Sequence, residues 1–165
     1  MGTKSGKCVW QVLAFSVAVF SLSACGPGYL DVDKHVAATE ENKVVFDVLR
    51  AYHKAVEDKD LDGLKALISP KYHENGGTTD DAADDYGFDK LSARLPMLRD
   101  NVKKLHLRIK LLDIEVKGAQ ATIDYEFEGR VLLTEGGIET YKTYNNRNRM
   151  KLANEDGHWL ITGGL

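Results

Sequence analysis

At Asn101 the hydrophobic period of this chain changes from helical to extended. A chain that switches once, with helices before and strands after, has few folds open to it. Before the switch, Val45, Val48, Leu49, Tyr52 and Val56 fall on one stripe between Glu40 and Glu57. That spacing predicts an amphipathic helix, with Thr39 as N-cap and Glu40 and Glu41 suited to its positive end. Asp60 is placed to cap a short second helix from Leu61 to Ile68, which Ser69 and Pro70 end, so the two helices form a hairpin. Phe88, Leu91, Leu95 and Leu98 predict a third helix. Pro96 inside it should kink or split it, at a cost of about 3 kcal/mol if nothing relieves the lost hydrogen bond. The stretch from Glu74 to Gly87, with Asn75, Gly76, Gly77 and aspartates from Asp80 to Asp85, has the chemistry of a surface loop.

After the switch, Leu105, Leu107, Ile109 and Leu111 alternate with His106, Arg108 and Lys110, whereas Ile114 and Val116 take the opposite parity. The change of parity predicts a β-bulge near Leu111 and Leu112. Ala121, Ile123, Tyr125, Phe127, Val131 and Leu133 then form one buried face of a long strand. Glu139 to Leu152 reads as a polar strand and Trp159 to Ile161 as a short last one, with turns at Gly118, Gly136-Gly137 and Asp156-Gly157. The expected architecture is α+β: three N-terminal helices packed on one face of an antiparallel sheet of about four long strands.

The first residues carry a different signal. Met1 to Lys7 is polar and positive, Val9 to Ala24 is an apolar run, and Leu22-Ser23-Ala24-Cys25 follows. This is the pattern of a signal peptide, and the run is shorter than the roughly 20 residues a membrane-spanning helix needs. The tetrad resembles the bacterial lipobox, which implies lipidation of Cys25 and cleavage before it. The expected organisation is a signal peptide at 1–24, a lipidated cysteine and flexible tether at 25–39, and one domain at 40–165. The product would be exported and held on a membrane of the cell envelope by its N-terminal lipid. Gly26 replaces the Asp of the inner-membrane retention signal, which favours the outer membrane in a Gram-negative host. Removing Lys4 and Lys7 with the signal takes the net charge from −3 to −5, which gives no footprint for nucleic acid. Cys8 leaves with the signal, so Cys25 carries attachment and no disulfide.

Tyr52, Ala55, Asp58, Asp60, Leu64, Leu67, Pro70 and Tyr72 at the start, with the closing Asp156-Gly157-His158-Trp159-Leu160-Ile161, resemble the nuclear transport factor 2-like superfamily of cystatin-like cones. That group also holds ketosteroid isomerase, scytalone dehydratase and SnoaL-type polyketide cyclases. The resemblance implies a strongly curved sheet around an internal cavity, in which the enzymes keep an Asp or His as general base. These matching residues are packing and turn features and carry no chemistry.

Strand parity places Asp124, Glu126 and Glu128 opposite the buried face and His106 with Arg108 and Lys110, while His53 and Glu57 form an exposed pair one helical turn apart. No catalytic set emerges; His73 and Asp124 remain as general-base candidates. The interior collects Tyr52, Tyr72, Tyr125, Tyr144, Asn146, Asn148 and Trp159, groups that orient a ligand without titrating near neutrality. No His-x-x-x-His spacing or calcium loop occurs, and neither metal nor cofactor is expected. The leading expectation is a noncatalytic envelope lipoprotein that binds a small apolar ligand or a protein partner. The alternatives are a cofactor-independent isomerase, dehydratase or hydrolase, and a structural or assembly role through the convex sheet face. That face carries Arg108, Lys110, Glu126, Glu128, Arg147 and Arg149, which would suit a homodimer. Cys25→Ser should abolish metabolic lipid labelling and release the protein from the membrane fraction; a variant that still labels and stays membrane-bound refutes the lipobox reading.

Overall fold

Thr39 begins the first helix by accepting the Asn42 N–H on Oγ1 at 3.1 Å, with Glu40 and Glu41 in the first turn. This helix, α1 (Glu40–Asp58), ends where Lys59 turns left-handed at φ 54° and returns its N–H to Ala55 and Val56. The computed structural model describes residues 28–31, 33, 35–75 and 84–165. The expected signal peptide at 1–24, the lipid site Cys25, and Gly76, Gly77 and Asp80 to Ala83 of the acidic loop lie outside the described residues. Asp60 caps α2 (Leu61–Leu67) through the Gly63 N–H at 2.9 Å. Ser69 is fully buried; its Oγ donates to Glu155 Oε1 at 2.8 Å and its N–H to the Ile161 carbonyl at 2.9 Å. The helical hairpin is thereby tied to the last strand.

Two short strands, β1 (His73–Glu74) and β2 (Tyr86–Gly87), pair antiparallel and bracket the acidic loop. Then α3 (Phe88–Asn101) runs as a single helix with Pro96 inside it. Pro96 forfeits one N–H and leaves the Ser92 carbonyl without its helical partner, and the helix continues through this half-buried turn.

The sheet is an antiparallel meander in the order β3 (Val102–Lys117), β4 (Gln120–Glu135), β5 (Ile138–Glu155), β6 (His158–Gly163). Its register steps between Leu111 and Asp113. There the buried positions of β3 pass from Leu107 and Leu111 to Ile114, the predicted bulge. Asp156 and Gly157, at φ 52° and 88°, make the tight turn into β6 with the positive φ at both positions that a type I′ hairpin loop uses to match strand twist. At Gly164 a Cβ would sit 1.9 Å from the Arg149 carbonyl oxygen, so only glycine lets the chain cross β5 there. All three helices pack against the sheet or one another, and the core lies between α1 and the inner sheet face, where Val45, Leu49, Ile123, Tyr125, Met150 and Ile161 are buried.

The described residues between 28 and 38, part of the stretch expected to be coil, are folded. Tyr29 bridges Ala37, Leu30 donates to the Val36 carbonyl at 2.9 Å, and Asp31 accepts the N–H groups of His35 and Val36 at 3.0 and 2.7 Å. Val36, 2% exposed, anchors this strap in the core. Hydrophobic burial of one valine and an aspartate-capped turn together outweigh the chain entropy that composition alone suggests. Leu49→Ala should destabilise the domain by about 2–5 kcal/mol, because its site cannot collapse, while Val44→Ala one face away should cost under about 0.5 kcal/mol. Equal shifts in urea midpoint would contradict the assignment of the buried stripe.

Candidate functional site

β3 is an edge strand, and α1 closes it with side chains. His53 Nε2 lies 2.6 Å from the Leu107 carbonyl oxygen, so that nitrogen carries the proton and donates. Glu57 Oε1, one turn on, accepts the Leu107 N–H at 2.7 Å and lies 3.2 Å from His106 Nδ1. Lys59 adds a donor to the Val102 carbonyl at 2.8 Å. The His53–Glu57 pair that the sequence suggests is exposed is half-buried instead, because both side chains are spent on strand backbone.

Beside this clamp lies a cavity of about 460 Å³ between α1, β3 and the strap. Leu30, Phe46, Leu49, Ile109 and Leu111 make its apolar lining; Asp31, Asp33, Arg50, His53 and Lys110 make its polar edge. Every one of those polar groups already has a partner. Asp33 pairs with Lys110 at 3.0 Å and holds the ammonium pKa above its ordinary value. Arg50 meets Asp47 at 3.3 Å. Burial pushes the Asp31 carboxyl pKa up, but the N–H groups of His35 and Val36 outweigh it and the net shift is downward.

The residues singled out in the sequence do not converge on this cavity, apart from His53. Tyr125 is buried in the core and Tyr52 packs half-buried against it, and burial raises both phenol pKa values; Asn148, opposite Tyr125 on β5, hydrogen-bonds its hydroxyl and lowers it in part. Trp159 packs on the edge of the same core. Tyr72 lies elsewhere: its ring is 6.2 Å from that of Tyr86 and its hydroxyl accepts the Leu165 N–H at 3.2 Å. Tyr144 is 47% exposed and Asn146 is exposed on the free part of β5. His73 is exposed, 3.6 Å from Asp85, in a shallow depression with Tyr72 and Tyr86. Asp124 is on the outer face, yet only 8% exposed, because Arg149 grips it bidentately at 2.6 and 2.7 Å and Arg147 stands 3.5 Å away. Those arginines hold its carboxyl below the ordinary value. Neither general-base candidate faces the apolar cavity. Among the described residues no cluster of three His, Cys, Asp or Glu could hold a metal ion.

Phe46, Ile109 and the strap residues went unread as site residues. Phe46, Leu49 and His53 recur at helical spacing, and Ile109 and Leu111 share the inner parity of β3, so half of the lining had a signal. Leu30, Asp31 and Asp33 had none, because nothing local says that the strap folds back.

The outer face carries a second, charged groove of about 410 Å³ along Arg108, Lys110, Glu126, Glu128 and Arg147. Arg108 and Glu128 lie 3.6 Å apart there.

No family model matches the chain, and no curated protein matches it. Solved structures do. A conserved protein from Planctomyces limnophilus aligns at 12% identity with TM-score 0.65, over 76% of this chain and 93% of that one. A ketosteroid isomerase-like protein from Erwinia carotovora atroseptica aligns at 17% identity with TM-score 0.61, over 76% and 94%. A nuclear transport factor 2-like superfamily protein from Salmonella enterica aligns at 13% identity with TM-score 0.60, over 76% and 90%. The chain has the nuclear transport factor 2-like fold, and identities this low speak to fold alone.

Because the folded-state pKa of Asp124 is depressed, its pairing stabilises the domain above the ordinary carboxylate pKa and loses that contribution as pH falls through the folded value. The partner arginines are 63% and 64% exposed, so screening keeps the contribution near about 1 kcal/mol. Asp124→Asn should therefore lower stability at pH 7, and the deficit should shrink below about pH 4 in paired chemical denaturation curves. A deficit constant from pH 7 to 3 would show that the charge is not its source.

Proposed function

We propose that this chain is a lipid-anchored binding protein of the cell envelope that takes a small, uncharged, apolar ligand between α1, β3 and the strap. The observation that carries this reading is the cavity of about 460 Å³, with five apolar side chains lining it and an edge whose charges are already paired. Binding pockets are largely apolar with few polar groups to orient a ligand, and this one falls within their usual size. An ionic ligand would have to break the Asp33–Lys110 pair or leave its own charge uncompensated.

Attachment through Cys25, export, and placement on the outer membrane in a Gram-negative host belong to the same proposal. They rest on the lipobox resemblance. With the strap folded from Gly28 onward, the three residues from Cys25 to Gly28 reach at most about 11 Å, so the cavity would stand close to the bilayer, where apolar ligands concentrate.

Proton-transfer chemistry, the isomerase or dehydratase alternative, has one foothold in the ketosteroid isomerase-like neighbour and another in His53 at the cavity edge. His53 Nε2 is committed to the Leu107 carbonyl, and the lining carboxylates are committed to N–H groups or Lys110. That commitment favours binding without turnover. The convex-face role stays a lesser proposal, supported by the mixed charges of the outer groove.

The environment-sensitive dye N-phenyl-1-naphthylamine should bind saturably. Ile109→Trp, which fills the cavity, should weaken it roughly tenfold while the thermal midpoint moves by only a few degrees. Absence of saturable binding by the unsubstituted protein, or equal affinity in the folded variant, would overturn the assignment.

A further inference from the structure

The two long edges of the sheet are treated differently. Edge β3 has its backbone engaged at Val102, Lys103 and Leu107 by Lys59, His53 and Glu57, with α1 packed against it. On the other side, β6 pairs with β5 only from Lys151 to Glu155, and Gly164 lies against Arg149. Among the described residues, Ile138 to Asn148 therefore pair with β4 on one side and have no strand on the other. Every residue from Ile138 to Arg147 is exposed, including Ile138 at 70%, Tyr141 at 72% and Tyr144 at 47%. An exposed edge with large apolar side chains is a template for pairing, and folds that do not use such an edge cover or blunt it.

We propose that this edge pairs antiparallel with the same edge of a second copy, about a two-fold axis at Thr143. The pattern of β5 is self-complementary in that register. Glu139 faces Arg147 of a second copy, Lys142 faces Tyr144, Tyr141 faces Asn145, and Ile138 faces Asn148, each pairing occurring twice by symmetry. No like charges meet. A slip of one residue unpairs both Glu139–Arg147 contacts, and a slip of two toward β6 drives Ile138 against Met150, where Gly164 already crosses the strand. The result is one sheet continuous through both copies, with both cavities left open, since none of the paired residues lines them.

The test uses the full chain in intact cells, with oxidative crosslinking read on non-reducing gels. Thr143→Cys places the thiol opposite itself in a hydrogen-bonded antiparallel pair, whose Cα separation of about 5.5 Å a disulfide spans. It should crosslink at least about fivefold more than Thr140→Cys, whose opposite residue is Asn146. Adding Glu139→Lys should cut the Thr143→Cys yield roughly tenfold by setting Lys against Arg147, and adding Arg147→Glu as well should restore it. Co-expressed Lys142→Cys and Tyr144→Cys chains, whose positions share the inner face, should crosslink to each other. Equal yields at 143 and 140, no effect of Glu139→Lys, or a crosslink at 143 without the 142–144 pair, as a dimer through the outer faces would give, overturns the proposal.

Discussion

Leu107 accepts a hydrogen bond from His53 and gives one to Glu57, and the placement of α1 over the sheet depends on that exchange. An edge strand half-covered by a helix would otherwise hold backbone groups reached neither by a neighbouring strand nor fully by water, at roughly 1–3 kcal/mol for each unpaired group. Two side chains one helical turn apart match the spacing of the N–H and C=O of a single extended residue. Once they engage, the rotation and height of α1 are set. Leu49 is then committed to the inner face, and the space between Phe46 and Ile109 is the cavity. His53 belongs to both features, so the cavity edge is fastened to backbone rather than to a mobile side chain.

The charged groups follow a common rule on both faces. Asp124, Asp33, Asp31 and Glu57 each meet a cation or an N–H group. For Asp31 and Asp124 those partners hold the carboxyl below its ordinary pKa, which makes each a poor general base. The ionisable groups at the cavity edge are likewise engaged by the chain's own backbone and side chains.

Much of this was legible in the residues. Parity showed the buried face of β4, the change of parity showed the bulge at Leu111, and Thr39 and Asp60 marked two helix starts. The Asp124–Arg149 pair was also present in principle, since a two-residue turn at Gly136-Gly137 sets the register that brings them opposite each other. Reading a single strand without its partner made Asp124 look solvated. The strap lay beyond such reasoning. Its order comes from Val36 reaching the core, a contact remote in sequence, together with the local turn that Asp31 closes through the N–H groups of His35 and Val36. The candidate tyrosines do not converge because they sit on different elements: Tyr52 on α1, Tyr72 between α2 and β1, and Tyr144 on the free part of β5.

The strap is also the first described element at the N-terminal side of the domain. Tension entering the domain from that end must pass through the Gly28–Ala38 and Leu30–Val36 hydrogen bonds and the Val36 seat before it reaches α1. Those bonds are loaded in series with the cavity wall, since Leu30 and Asp33 belong to both. The piece of chain that takes load from that end and the boundary of the apolar space are thus one and the same. Stretching it and widening the opening are the same displacement.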